Sequence, residues 1–378
     1  MRTIQPLPMQ RTPSSDTVVR FGRGSAFRRE LNRRVQPYFQ SAGLSFKDVP
    51  SMYLKSMVIL AWFAMSYVLL VFWARSTWQG FLLAVSLGLS MAGIGFNIQH
   101  DGAHKAYSRR KWVNHVAART LDLLGGSSYV WHWKHNIVHH YYTNIADLDS
   151  DIDISPLGRL APHQSWHRIH RFQHVYLWIL YGLMPLKWQF FDDFRDLLLG
   201  RVGRYQFPRP NGWTLLGFLT GKTLFGVLAF LVPGLYHPVG VVLVFYSIAS
   251  FTLGITLSVV FQLAHCVEEA DFPGTTSATL DREWSVHQVE ATVDFSRDNR
   301  FLSWYLGGLN LQIEHHLFPS ICHLHYPAIS KIVEQACDEF GLRYTTHPTV
   351  SSALASHYRW LRRMGCPPVA ASAKSKRN

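Results

Sequence analysis

The sequence predicts an all-α integral membrane protein: four transmembrane helices, folded as two hairpins, with a helical cap on the cytoplasmic side. Three observations lead there. Apolar residues make up 48% of the 378 and are gathered into a few long runs rather than spread as in a soluble domain. The runs come in pairs joined by short turns. Arginines and lysines precede the first run, where basic residues hold a segment on the cytoplasmic side.

Four runs are long enough to cross a hydrocarbon layer of roughly 30 Å at about 1.5 Å per residue. They extend approximately from Leu54 to Trp73, Gly80 to Ile98, Trp213 to Val232 and Val239 to Leu263. Arg75, Ser76 and Thr77 turn the first into the second, and Pro233, Gly234, Tyr236, His237 and Pro238 turn the third into the fourth. Two hairpins leave the N-terminal segment, the region from about 99 to 212, and everything after 264 on one side. Phe172 to Phe191 is also apolar, but His174, Pro185 and Lys187 interrupt it and Asp192, Asp193, Arg195 and Asp196 follow. It is expected to lie at the interface. A fifth span there would throw the later histidines to the opposite side.

Upstream, residues 1–50 form a cytoplasmic segment in which Phe27, Leu31, Val35 and Phe39 recur every four residues, the mark of an amphipathic helix over Ala26 to Gln40. Residues 51–369 make up the membrane domain, which includes a further helix after Pro327 ended near Gly341. The Ala-, Ser- and Lys-rich tail 370–378 is expected to be disordered.

The net charge of +13 does not mark a nucleic-acid binder, because the basic residues are scattered between apolar runs and no binding motif accompanies them. Arg20, Arg23, Arg28, Arg29, Arg33, Arg34 and Lys47 suit a membrane surface instead. Cys266, Cys322, Cys337 and Cys366 lack CxxC spacing, so they read as reduced thiols. The first fifty residues have no apolar core with a cleavage site, and no secretory signal is expected.

Of the 20 histidines, many stand in tight groups, the usual sign of a metal site. His100 and His104 are four apart, which on a helix places both imidazoles on one face. His135, His139 and His140 form a second group, Gln312, His315 and His316 a third, and His265 sits where the fourth run ends. With four spans, all of these lie on the same side. Eight histidines and Gln312 are too many for one ion and suit two. Iron, copper and zinc all take imidazole, but an iron pair with dioxygen and two electrons can break an unactivated C–H bond, which no side chain can do. Acyl chains offer such bonds beside this site. Carboxylates that orient the ligating imidazoles are sought among Asp101, Asp149, Asp151, Asp153, Glu268 and Glu314, of which Asp101, Glu268 and Glu314 lie nearest the groups in sequence. Trp131, Trp133, Tyr141, Tyr142 and Trp304 read as interfacial aromatics. His115, His132, His163, His167, His170, His174, His323 and His325 read as surface, structural or supporting groups. A metal transporter would carry its histidines inside the spans, whereas these lie at or beyond the ends.

His100-Asp-Gly-Ala-His104, His135-Asn-Ile-Val-His139-His140 and Gln312-Ile-Glu-His315-His316 together resemble the three histidine boxes of the membrane fatty acid desaturases. The glutamine opening the third box is similar to that of the linoleoyl-CoA and front-end acyl desaturase subgroup. The resemblance runs from about Phe27 through the C-terminal helix, including the stretches around His265 and His325. It implies two iron ions held by the box histidines and His265, with dioxygen as co-substrate and a fatty acyl-CoA or membrane acyl lipid as substrate. In related acyl-CoA desaturases an asparagine four residues before the last of these histidines completes the shell, whereas Phe261 stands here. Gln312 occupies a place those relatives give to histidine. No HPGG haem motif is found, so a separate ferredoxin, or cytochrome b5 with its reductase, is expected to deliver electrons. The expected setting is the bacterial cytoplasmic membrane, or the endoplasmic reticulum in a eukaryote, with the site facing the cytoplasm. A hydroxylase or oxidase acting on a carotenoid, sterol, alkane or sphingolipid is the rival activity, since the same oxidant can return oxygen to carbon.

Overall fold

The computed structural model describes residues 19–22, 24–274 and 279–368. Arg23 and the tail 370–378 lie outside them, as do residues 1–18. Four helices are long and apolar enough to cross a membrane among the described residues: Pro50–Trp73, Thr77–Ala103, Gly212–Gly234 and Val239–His265. Ser76 turns the first hairpin, its hydroxyl accepting from the Gln79 N–H while the Gln79 side chain accepts from the Ser76 N–H.

The second and fourth spans, both returning to the side on which the first begins, pack directly on one another. Gly80, Ala84 and Gly88 line one face of the second span and are buried. A Cβ on Gly88 would lie 2.5 Å from the Ala249 carbonyl oxygen and 2.6 Å from the Thr252 Cβ. Small residues at such spacing let membrane helices approach backbone to backbone. From that crossing, twelve residues remain to His100 and thirteen from Thr252 to His265, so each helix runs on for about 18 Å and about 20 Å. Both ends therefore reach the same level. Residues of all four spans line an apolar cavity of about 630 Å³, among them Tyr67, Met91, Phe225 and Phe245.

The second span is longer than its hydropathy suggests, reaching Ala103 rather than Ile98. Asn97, Gln99, His100 and Asp101 are buried, so the polarity that ends the apolar run is met by protein and the helix continues. A π turn over Ile94–Gln99 leads into His100. The carbonyl of Gly93 is satisfied by the Asn97 side chain, which also donates to Tyr305. Gly307, at φ +61, brings its backbone against the Phe96 carbonyl, where a Cβ would collide.

The apolar stretch 172–191 forms the helix Gln173–Lys187, continued by a π turn over Trp188–Asp192. It is not one of the four spans. Its inner face seats Gly182 on Gly254 of the fourth span, and its outer face exposes Phe172, Val175, Ile179 and Leu183. The remaining helices cover the ends of spans two and four. Ala26–Ser41 buries Phe27, Leu31, Val35 and Phe39 in one cluster with Ile329, Val333 and Ala336 of Tyr326–Phe340, which stops at left-handed Gly341. Among the described residues there are three sheets, each a pair of two-residue strands.

Replacing Gly88 by valine should lower the thermal midpoint of the detergent-solubilised protein by several degrees, because the added methyls meet backbone. An unchanged melting curve would show that the two spans do not meet there.

Candidate metal centre

The residues that the sequence groups as three boxes meet in one buried chamber between the ends of spans two and four and the cap. The second box lies on a helical stretch, 128–142, whose middle, His132–His139, is a π turn. It brings His135 and His139 side by side with ring centroids 5.1 Å apart. The third box lies on the short helix Gln312–Leu317. Its start is pinned by Asp294, whose carboxylate accepts from the Ile313 N–H at 3.0 Å and the Tyr344 hydroxyl at 2.6 Å.

Two groups of imidazoles result. His100, His104, His135 and His315 offer ring nitrogens all within 4.8 Å of one another, and so do His139, His265 and His316. His140 stands between the groups, its Nε2 3.0 Å from that of His315 and its ring 4.4 Å from that of His316. Gln312 joins the second group, with its side-chain nitrogen 2.9 Å from the His265 Nε2. Phe261, where relatives have asparagine, lays its ring on His265 at 4.5 Å and offers no ligand atom.

The outward nitrogens are held. His139 Nδ1 donates to Asp149 at 2.9 Å and His135 Nδ1 to Asp151 at 3.3 Å. His316 Nδ1 meets the Gln288 carbonyl oxygen at 2.8 Å, and His315 Nδ1 lies 3.4 Å from the Tyr326 hydroxyl. The inward Nε2 atoms of His104, His135, His139 and His316 are buried without a hydrogen-bond partner. A buried imidazole with one nitrogen fixed by a carboxylate and the other aimed at its neighbours is the arrangement that suits a metal ion.

Protonation agrees with this. Burial, then the neighbouring imidazoles, pushes His104, His140, His315 and His316 well below the usual imidazole range, so they are neutral and able to donate a lone pair. Burial also lowers His135. At His139 burial acts downward too, but the charge and hydrogen bond of Asp149 outweigh it and the net shift is upward. Burial works to raise Asp151, yet Lys134 together with His135 and His139 holds it well below the carboxylate range.

The three carboxylates nearest the boxes in sequence lie elsewhere. Asp101 accepts from His323 Nδ1 at 2.9 Å, whose other nitrogen lies 2.8 Å from Lys55 Nζ. Glu314 points away from the imidazoles to the Tyr344 hydroxyl at 3.0 Å. Burial, then the charge of Asp294, raises it well above its ordinary value, and burial lifts Asp294 to about 6. Glu268 pairs with Arg359 on the surface. Helix geometry explains the first two: the residue next to a ligand in a helix points about a quarter-turn away. Asp149 and Asp151 fold back from the loop after the second box. Gln288, also bonded to Thr143, carries no sequence signal at all.

A family model described as fatty acid desaturase matches residues 76–348. The chain belongs to the fatty acid desaturase family. The desaturase is 40% identical over 358 residues to the sn-1 linoleoyl-lipid 6-desaturase of Arthrospira platensis, covering 94% of this chain and 97% of that one. To the protein of the same name from Synechocystis sp. it is 37% identical, over 92% and 98% of the two chains. To the acyl-lipid (8-3)-desaturase of Physcomitrium patens it is also 37% identical, over 89% and 71%. The desaturase is thus a membrane enzyme of fatty acyl chains, carrying histidine groups suited to an iron-type centre.

Asp149→Asn should weaken metal binding about 10- to 100-fold, read as metal per chain after dialysis. Glu268→Gln and Glu314→Gln should leave metal content unchanged. Equal losses in all three variants would show that the Asp149 contact does not orient His139.

Proposed function

We propose that the desaturase inserts a double bond near the carboxyl end of an acyl chain esterified in a membrane lipid, using two iron ions held by the two histidine groups. The observation that carries this reading is the pair of buried groups, each with inward nitrogens lacking a hydrogen-bond partner. His100, His104, His135 and His315 would hold one iron, His139, His265 and His316 the other, with His140 between them and Gln312 beside the second. Such a pair supplies the power to use dioxygen and two electrons to break unactivated C–H bonds. Two hydrogens leave adjacent methylenes and, together with the two electrons and two protons, convert dioxygen to two waters.

The chain's own residues do the rest. Asp149, Asp151 and Gln288 fix ring orientation and tautomer, so that Nε2 carries the free lone pair. Phe261 and Trp131, stacked on His265 and His135, keep water from the chamber and protect the oxidising step. The position of the new bond is drawn from relatives named 6-desaturases of linoleoyl lipids. Electrons would arrive from a separate ferredoxin, or from cytochrome b5 with its reductase, on the cytoplasmic side. The excess of basic residues before the first span supports that orientation. Residues 1–50 would be a cytoplasmic N-terminal segment with an amphipathic helix, ahead of the membrane domain 51–369.

His139→Ala and His315→Ala should each abolish formation of the double bond while the protein still inserts in the membrane. The check is expression in a host lacking the product, with mass spectrometry of its lipids and iron analysis of the purified chain. Full activity in either variant removes that residue from the ligand set. Iron-free active protein would end the proposal.

A further inference from the structure

We infer that Lys47, Lys105 and Arg109 form the binding site for the phosphate of a glycerophospholipid whose acyl chain is the substrate. The inference rests on the lipid-linked, carboxyl-end reading above. If the new double bond lies near the ester, the lipid head must sit only a few carbons from the irons. The chamber comes nearest the surface at the edge marked by His104. Among the box histidines only His104 is half-exposed, and beside it stand half-exposed Trp131 and His132. Lys105 is the next residue and is exposed.

The fold brings further cations to this edge. The Asp48 N–H donates to the Tyr107 carbonyl at 3.1 Å, which sets the segment around Lys47 alongside the segment after Lys105. Arg109 is tied in by its N–H to Asp48 at 2.8 Å and its guanidinium to Ser45 at 2.8 Å. Asp48 is the acidic group of this edge, and it is occupied by Ser108, Tyr53 and Arg109, with the Arg109 Nε at 3.9 Å. Among the described residues, Lys47, Lys105, Arg110 and Lys111 have no carboxylate within ion-pair distance. Burial, then the charge of Lys105, lowers Lys47. An anion beside Lys47 and Lys105 would relieve this repulsion, which Asp48 offsets only in part.

Lys105 also holds an unusual backbone. It ends the second span at φ +60, where its N–H bonds the Gly102 carbonyl at 3.1 Å and the next N–H, of Ala106, bonds that of Asp101 at 2.8 Å. Glycine is the ordinary occupant of that closing position. A lysine there bears strain, and its ammonium is what glycine would lack. The neighbouring helix Lys111–Ala118 exposes Trp112 and Val116 at 63% and 61%. Exposed apolar side chains beside cations are the pattern of a bilayer surface, which favours a lipid phosphate over an acidic protein.

The test uses the full-length, iron-loaded enzyme with its electron supply and two lipids carrying identical linoleoyl chains. One is dilinoleoyl phosphatidylglycerol and the other the uncharged dilinoleoyl monoglucosyl glycerol, both in mixed micelles. Wild type should prefer the phospholipid about tenfold in kcat/KM. Lys105→Gly, which suits the backbone, and Lys47→Gln should each raise KM for the phospholipid several-fold with little change in kcat, and leave the glycolipid unaffected. Titration with dioctanoyl phosphatidylglycerol should show the same loss in binding. Equal use of the two lipids, or equal damage to both in the variants, overturns the phosphate site but spares the lipid-linked reading. Desaturation of linoleoyl-CoA alone overturns both. A change confined to the KM for reduced ferredoxin would assign the cations to a redox partner instead and overturn the inference.

Discussion

The second and fourth spans run in the same direction and meet at Gly88 and Thr252, and that crossing sets how far each helix carries its histidines beyond the apolar layer. His100 and His265 come to one level because nearly equal lengths of helix separate them from the contact. A slip of either helix by one residue would move its ring by about 1.5 Å along the axis and rotate it by more than a quarter-turn. The second and third boxes, on segments held by the cap, are then built around these two fixed points. Asn144 shows how: its side chain donates to the carbonyls of His265 and Ala291 at 2.9 and 2.8 Å, tying the end of the second box to the end of the fourth span.

Bringing eight imidazoles together in a buried chamber is electrostatically demanding. If several were protonated, their charges would repel in a medium that screens poorly. The chain avoids this by burial, which keeps most of them neutral, and by concentrating negative charge at Asp149 and Asp151 behind His139 and His135. Those carboxylates favour a positive charge at the centre, and the upward shift of His139 expresses that preference in protein alone.

What the sequence made legible is what local pattern encodes. Spans follow from hydropathy, and the boxes follow from histidines at helical spacing, so each ligand candidate from His100 to His316 could be named from its neighbours. The supporting shell is not local. Asp101 adjoins His100 yet serves His323, and Glu314 adjoins His315 yet serves Tyr344, because adjacency in a helix means divergence in direction. Asp149 lies ten residues from His139 and reaches it only through the turn at Asn144, whose N–H also donates to Asp149. Gln288 stands beside His316 through packing of two helices far apart in the chain. Hydropathy ends the second span at Ile98 rather than Ala103 for a related reason: it registers polar side chains but not whether protein has already met their needs.

The π turns at Ile94–Gln99 and His132–His139 each take one residue more per hydrogen-bonded loop than an α-helix does. In the second span the surplus at Ile94–Gln99 sits between the bilayer-embedded turns and His100. Such a bulge works like an expansion joint: the lipid-facing part of the helix could be lengthened or trimmed to suit a thicker or thinner bilayer, with the mismatch absorbed before it reached the imidazoles. Adaptation to a new lipid environment and preservation of the oxidising chemistry would then be separable, each governed by its own stretch of the same helix.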